Sequence, residues 1–225
     1  MDVRGKKKLI RRLRRSELPV DTTELARYLI GKTLVHDAPE GRMSGRIVET
    51  EAYVVGDAAA HAYRGMTARN RSLFLEHGHA YVYFIYGNWF SMNVAGEREG
   101  VGGGVLLRAL EPLEGIELMQ RRRPQAAVRR LAAGPGCLAT AFDIDRRFDG
   151  LDLCAPGPIW LGAAVELGVA GARRPAFGPG AEAQTVGRIS LGNSVRIGLT
   201  KEAHRLLRFY ERGNPCVSGP KRLRE

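Results

Sequence analysis

The sequence predicts an α+β fold: a single mixed domain, mainly an antiparallel curved β-sheet with surrounding helices. Three observations carry this. Residues 79–86, "HAYVYFIY", alternate in the manner of a strand, and 89–95 resume the pattern after a short turn, which is the signature of a hairpin. A glycine-rich turn, "GEREGVGGG", then leads into a third run, "VLLRALEP", that returns beside the second. Finally, no repeat and no linker divides the 225 residues, a length that suits one large domain.

The elements follow in order. Residues 1–16 form a basic N-terminal arm expected to be flexible, and 17–225 the folded domain. Eight of the twelve residues in "RGKKKLIRRLRR" are basic, and such a run seeks phosphates. Asp21 and Glu24 mark a helix start of the capping-box type, and "ELARYLIG" continues it to Gly31. Strands are expected over 32–36 and 44–55, with "APEGRMSG" as the turn region between them. Residues 56–78 are irregular and polar, with a short helix around 68–75. After the third hairpin run, Pro112 is placed at the first position of a helix, "PLEGIELMQRRR", that Pro124 closes. Helices near 126–132 and 136–142 and strands near 158–168 and 186–198 complete the chain. The run "GVGGG" is read as a turn and not a nucleotide cradle, because a strand follows it and no Gly-Lys-Ser/Thr closes it.

The formal net charge is +11, which favours a polyanionic partner such as DNA, RNA or an anionic membrane surface. Cys137, Cys154 and Cys216 are odd in number and form no CxxC pair, which argues against a disulfide framework or zinc finger and for a reducing cytoplasm. No apolar run approaches a membrane span, so no membrane association is expected. The basic N-terminus lacks the apolar stretch of a signal peptide. Only six of the 35 basic residues are Lys, and residues 33–200 contain none.

The chemistry-bearing residues concentrate in one region. In "RIVETEAY" strand alternation puts Glu49, Glu51 and Tyr53 on one face. A carboxylate beside an aromatic ring in a half-buried strand suits a general base; a solvated or arginine-paired Glu is the plainer reading. His61 and Tyr63 follow, then Arg64, Arg69 and Arg71. His77 and His79 lack a carboxylate or thiol at ligand spacing, so no metal is expected. Five of the seven tyrosines fall between Tyr53 and Tyr86. In "HAYVYFIYGNWFSMN", Val82 and Phe84 are expected in the core, while Tyr86 projects from a turn made inexpensive by Gly87. Arginines, aromatic walls and a carboxylate together suit an enzyme that holds a nucleic-acid base out of the stack.

The chain resembles the alkyladenine (3-methyladenine) DNA glycosylase family. The matching pieces are "ELARYLIGKTLV", "GRIVETEAY", "DAAAHAYRGMTARNRSLF", "YVYFIYGNWFSMNV", "VLLRALEPLEGIELM", "GPGCLATAFDI", "FDGLDL" and "LRFYERGNPCVS", in order from about residue 19 to 218. The resemblance implies that Glu51 is the general base and that Arg108 helps to hold the attacking water. It implies that Tyr53, His61 and Tyr83 wall a pocket for the flipped base, and that Asn93 crowds the 2-amino group of guanine. Tyr86 is implied as the wedge filling the gap in the duplex, and Thr67, Arg69 and Gly134 as contacts to the DNA backbone. Cys137 departs from the pattern, standing where a Lys is usual, and Asn88, Trp89 and Ser91 differ just after the wedge.

On this reading the protein is a base-excision repair enzyme acting on alkylated or deaminated purines in double-stranded DNA. It is expected to work as a monomer, without cofactor, at the nucleoid of a bacterial cytoplasm. The Lys-free span disfavours an amine nucleophile in the pocket, so hydrolysis without strand cleavage is expected. A noncatalytic nucleic-acid-binding domain is the alternative, although it gives Glu51 no task. A glycoside hydrolase using Glu49 and Glu51 is a further competitor, one that does not explain the charge.

Overall fold

The computed structural model describes residues 9–165 and 189–221. Among the described residues nine strands form an antiparallel sheet: β1 (Leu9–Arg12), β2 (Thr33–Ala38), β3 (Gly41–Tyr53), β4 (Ala80–Ile85), β5 (Trp89–Ala95), β6 (Gly104–Glu114), β7 (Ile159–Val165), β8 (Leu191–Ser194) and β9 (Arg208–Glu211). Three α-helices accompany them: α1 (Thr22–Leu29), α2 (Ile116–Arg122) and α3 (Pro135–Ala141). The main strand order is β1-β7-β2-β3-β6-β5-β4, and the β8–β9 pair joins at β3. The expected mixed, antiparallel architecture is what forms.

Strand β3 organises the site. Its first half pairs with β2 through Gly41–Arg46, while Glu49, Thr50 and Glu51 pair with β9. On its other side β6 accompanies it over Ser44–Tyr53, with register shifts at Ser44/Gly45, Ile47/Glu49 and Glu49/Thr50. Each such irregularity bends a strand and increases its local twist, and together they let β3 pass from one partner to another.

Helix α1 starts where its cap predicts, with Asp21 Oδ1 accepting the Glu24 N–H at 2.8 Å. Its buried residues, Thr22, Leu25, Ala26 and Leu29, have helical spacing and cover one face of the sheet. The core continues through Met43, Ile47, Leu107, Leu110, Leu138 and Phe142.

Several expectations need correction. Residues 9–12 of the supposed arm form edge strand β1, paired with β7, and Arg15 binds Asp152 at 2.5 Å; residues 1–8 lie outside the described ones. Pro112 does not start a helix. It lies in β6 opposite Gly45, beside a register shift, where a missing N–H is tolerated. Helix α2 begins after Gly115, whose φ of 72° breaks the strand. Phe84 is not core: it is 40% exposed near the end of outer strand β4, touching Phe90 at 5.1 Å between ring centres. The helices expected at 68–75 and 126–132 shorten to single 3₁₀ turns, Arg71–Phe74 and Val128–Arg130. The expected 186–198 strand is regular only over Leu191–Ser194; residues 186–188, like 166–168 of the preceding strand, lie outside the described ones. The "GVGGG" run carries the chain tightly past its neighbours: a Cβ at Gly102 would stand 2.6 Å from Ala62 and Phe74, and one at Gly104 2.6 Å from Leu73.

Candidate active site

Where β3 changes partner, its inward face carries Glu49, Glu51 and Tyr53, as alternation predicts. Both carboxylates are wholly buried, so each needs compensating charge or hydrogen bonds. Glu49 is saturated. Its Oε1 accepts Arg208 Nε at 2.7 Å and Arg108 Nε at 3.1 Å, and its Oε2 accepts the Ser218 N–H at 2.6 Å. Burial alone would raise its pKa, but the Arg108 and Arg208 charges and Ser218 hold it below the usual carboxylate range. Glu49 is thus an arginine-paired structural acid, and the two-carboxylate glycosidase reading loses one of its acids.

Glu51 is held differently. Tyr53 O–H donates to Oε2 at 2.9 Å, the Ile197 N–H donates to Oε1 at 2.7 Å, and Arg108 Nη1 approaches Oε1 at 3.3 Å. All three partners line a cavity of about 160 Å³. Glu51 therefore stands directly behind the cavity wall. An apolar cavity of roughly 150 Å³ holds one benzene-sized ring, so this space is on the scale of a flat base entering from an open side.

The walls are aromatic. Tyr53, His61, Tyr81, Tyr83, Tyr86 and Asn93 all face the cavity. Tyr81 and Tyr83 stack at 5.2 Å, and His61 packs edge-on to Tyr83 at 4.5 Å. His61 Nδ1 and the Tyr81 hydroxyl lie 2.9 Å apart. Desolvation, then Arg69, lowers the His61 pKa and favours the neutral ring. Burial pushes the Tyr81 phenol up to about 12 and raises Tyr83. In Tyr53 burial acts first and the Glu51 charge second, both keeping the phenol protonated and donating. Asn93, 6% exposed, directs Nδ2 toward the Tyr81 carbonyl at 3.4 Å.

The rim is exposed. Strand β4 ends at Ile85, and Tyr86 sits in the turn with φ 54° and 82% of its surface exposed. Left-handed backbone costs a non-glycine residue roughly 1–2 kcal/mol, and Gly87 at φ 75° shares the turn. Thr67 donates its N–H and hydroxyl to Asn70 Oδ1 at 2.6 and 2.9 Å. Arg69 reaches the Phe84 carbonyl at 3.4 Å, tying that exposed loop to β4. Gly134 donates to the Arg108 carbonyl at 2.9 Å and precedes Pro135, a cavity residue at the start of α3. Cys137 is a half-buried free thiol one turn into that helix.

The cavity thus collects Tyr53, His61, Tyr83, Tyr86, Asn93 and Arg108, with Glu51 behind. Thr67 and Arg69 lie on the rim loop and Gly134 at the base of α3. Sequence reasoning missed Tyr81, Arg208, the Ile197 N–H and a buried Asp57–Arg196 pair. Tyr81 shares parity with Tyr83, so alternation carried that signal; the others come from distant chain. Among the described residues no group of three or more His, Cys, Asp or Glu is placed to hold a metal ion, and no helix is long and apolar enough to cross a membrane.

The sequence profile of the methylpurine-DNA glycosylase family matches residues 16–215. A Mesorhizobium japonicum protein is 58% identical over 211 residues, covering 94% of this chain and 92% of its own length. A Paraburkholderia phytofirmans protein is 48% identical over 211 residues, covering 94% and 90%, and one from the archaeon Methanocella arvoryzae is 44% identical over 204 residues, covering 88% and 90%. All three carry the provisional name 3-methyladenine DNA glycosylase.

Proposed function

The chain belongs to the methylpurine-DNA glycosylase family, and from that premise we propose that it excises alkylated or deaminated purines from double-stranded DNA. In this reading Tyr86 enters the duplex and the damaged nucleotide swings into the aromatic cavity. Tyr53, His61 and Tyr83 stack around it, at about 1–3 kcal/mol per stacked base. An alkylated, cationic purine gains roughly a further 0.5–2 kcal/mol over electron-rich rings. Together these terms offset the few kcal/mol of unstacking, which damaged pairs already lower. Asn93 disfavours guanine through its 2-amino group, while Thr67, Arg69 and Gly134 hold the backbone.

Chemistry falls to Glu51. As the bond from C1′ to the purine nitrogen lengthens, its electron pair leaves with the base and the sugar gains positive charge. The Glu51 carboxylate stabilises that charge and takes a proton from the water attacking C1′. Arg108 orients the same water. The product is an abasic site and a free purine. Residues 33–200 offer no Lys amine, so we infer a monofunctional hydrolase without lyase activity. We place it, as a monomer, on the nucleoid DNA of a reducing bacterial cytoplasm.

The observation that carries the reading is a buried carboxylate, held by Tyr53, Ile197 and Arg108, at the back of a tyrosine-lined cavity in an arginine-rich protein. The test is release of free base from methylated duplex DNA, with Glu51→Gln as control. Tight DNA binding with no release by the wild type would favour a noncatalytic binding domain.

A further inference from the structure

Two of the three donors on Glu51 adjoin one buried guanidinium. Arg196 immediately precedes Ile197, whose N–H donates to Glu51, and Ile197, Gly198 and Leu199 line the cavity. Its guanidinium lies 4.6 Å from the Tyr53 ring centre, and Tyr53 supplies the second donor. Nη1 also donates to the Ala52 carbonyl at 2.9 Å, one residue before Tyr53. Arg196 thus joins the end of β3 to the 195–199 segment.

What holds Arg196 is Asp57. Both side chains are wholly buried, and Nη1 lies 2.5 Å from Oδ2. Among the described residues Nε and Nη2 of Arg196 have no hydrogen-bond partner. Asp57 is itself fixed in the turn that leaves β3: its N–H donates to the Val54 carbonyl at 3.2 Å and its Oδ1 accepts the Ala59 N–H at 2.9 Å. Ala59, Ala60 and His61 then enter the cavity wall. Stability is a poor account of such a pair, because apolar replacements of buried ion pairs are often neutral or stabilising. Geometry gives it a task.

We propose that Asp57 is a positioning residue for Glu51: through Arg196 it fixes the Tyr53 hydroxyl and the Ile197 N–H against the carboxylate. Asp57 touches neither substrate nor Glu51. Removing its charge leaves Tyr83 and the rim in place but loosens the Tyr53 hydroxyl and the carboxylate that must meet water. Misplacements of about 1 Å at a reacting group cost up to a hundredfold in rate.

The inference rests on the reading of Glu51 as general base, and the experiment separates the two. Single-turnover excision from a duplex containing a methylated purine is measured for wild type, Asp57→Asn, Arg196→Met and the double variant. Thermal unfolding and the dissociation constant for the same duplex are measured alongside. Wild type releasing no base would sink the general-base reading itself. With wild type active, the expected outcome is a rate constant about ten- to a hundredfold lower in Asp57→Asn, with the dissociation constant changed less than threefold. The double variant removes both buried charges, so it regains thermal stability if Asp57→Asn folds poorly. Its excision should stay slow, because the Arg196 link between Tyr53 and the Ile197 segment is then gone. A stable double variant, or a folded Asp57→Asn, excising at the wild-type rate would overturn the proposal.

Discussion

The floor and the rim of the cavity are built on opposite plans. On the floor, Glu49, Glu51, Arg108 and Arg208 are buried, and each makes ionic or hydrogen-bonded contacts. On the rim, Tyr86, Thr67 and Arg69 stand in solvent on turns, with a left-handed backbone at Tyr86. On the proposed function the difference separates two tasks. A group that must activate water needs one fixed position, and a group that must meet a duplex needs exposure. Perturbing the floor should therefore change chemistry or folding, and perturbing the rim should change engagement of DNA.

The largest expected effect is on the floor. Glu51→Gln should lower single-turnover excision by about 10²–10⁴-fold, the usual worth of a general base, while damaged DNA still binds. Excision within a few-fold of wild type would show that the floor's carboxylate is not the base.

Glu49 tests the same floor for stability. Glu49→Ala leaves Arg108 and Arg208 buried without their shared acid, and breaking a buried pair costs about 3–5 kcal/mol. Because the Glu49 pKa is depressed in the folded state, its stabilisation is present above the ordinary carboxylate pKa, near about 4.3. It is lost as pH falls through the lower folded value. Glu49→Gln should therefore show a shallower loss of stability below pH ~4 in chemical denaturation. An unchanged acid profile would assign the acid sensitivity elsewhere.

Tyr83 in β4 and Tyr86 in the turn that follows it sharpen the comparison. Tyr83→Ala should slow excision from duplex and single strand alike, by the roughly 1–3 kcal/mol of one stacking wall. Tyr86→Ala should lower the flipped fraction, read by a fluorescent base analogue in duplex, and spare single-strand excision. Equal losses for both variants on both substrates would erase the distinction between floor and rim.

The smallest effect belongs to the N-terminus. Deleting residues 1–8 removes Arg4, Lys6, Lys7 and Lys8 and spares β1 and the Arg15–Asp152 pair. If these cations neutralise phosphates, the salt slope of binding should fall by as much as ~0.9 for each phosphate left without its cation, with excision at saturating enzyme unchanged. An unchanged slope would restrict electrostatic attraction to the folded domain.

Local patterns made much of this legible in the sequence. Period-two alternation gave the Glu49–Glu51–Tyr53 face, and Gly87 marked the turn that frees Tyr86 from its strand. The roles of individual residues came from resemblance and remain proposals. Pro112 misled because its preference for a first helical turn was outweighed by a sheet irregularity that also accepts it. Phe84 misled because alternation says which side a residue faces, not whether another layer covers that side. Arg208 and Ile197 were invisible: they reach Glu49 and Glu51 across 159 and 146 positions of chain, and no local pattern encodes such a meeting.

The exchange of partners along β3 has a consequence in time as well as in space. Because β9 takes over beside Glu49–Glu51 beyond the β2 pairing, and β6 flanks the other side, the stretch bearing the carboxylates is not a sheet edge. Strand β4, with the Tyr86 turn at its tip, pairs with β5 on one side; on the other its first half is bonded to the 149–151 segment, through Ala80 and Val82, and its last residues have no such bond among the described residues. Local opening begins where backbone bonds are fewest and most exposed, so amide deuteration should reach the Tyr86 end of β4, at the exposed Phe84, well before the Thr50 and Glu51 amides. On the proposed reading, the end of the cavity that meets the duplex can then breathe on its own clock while the carboxylate waits, already in place.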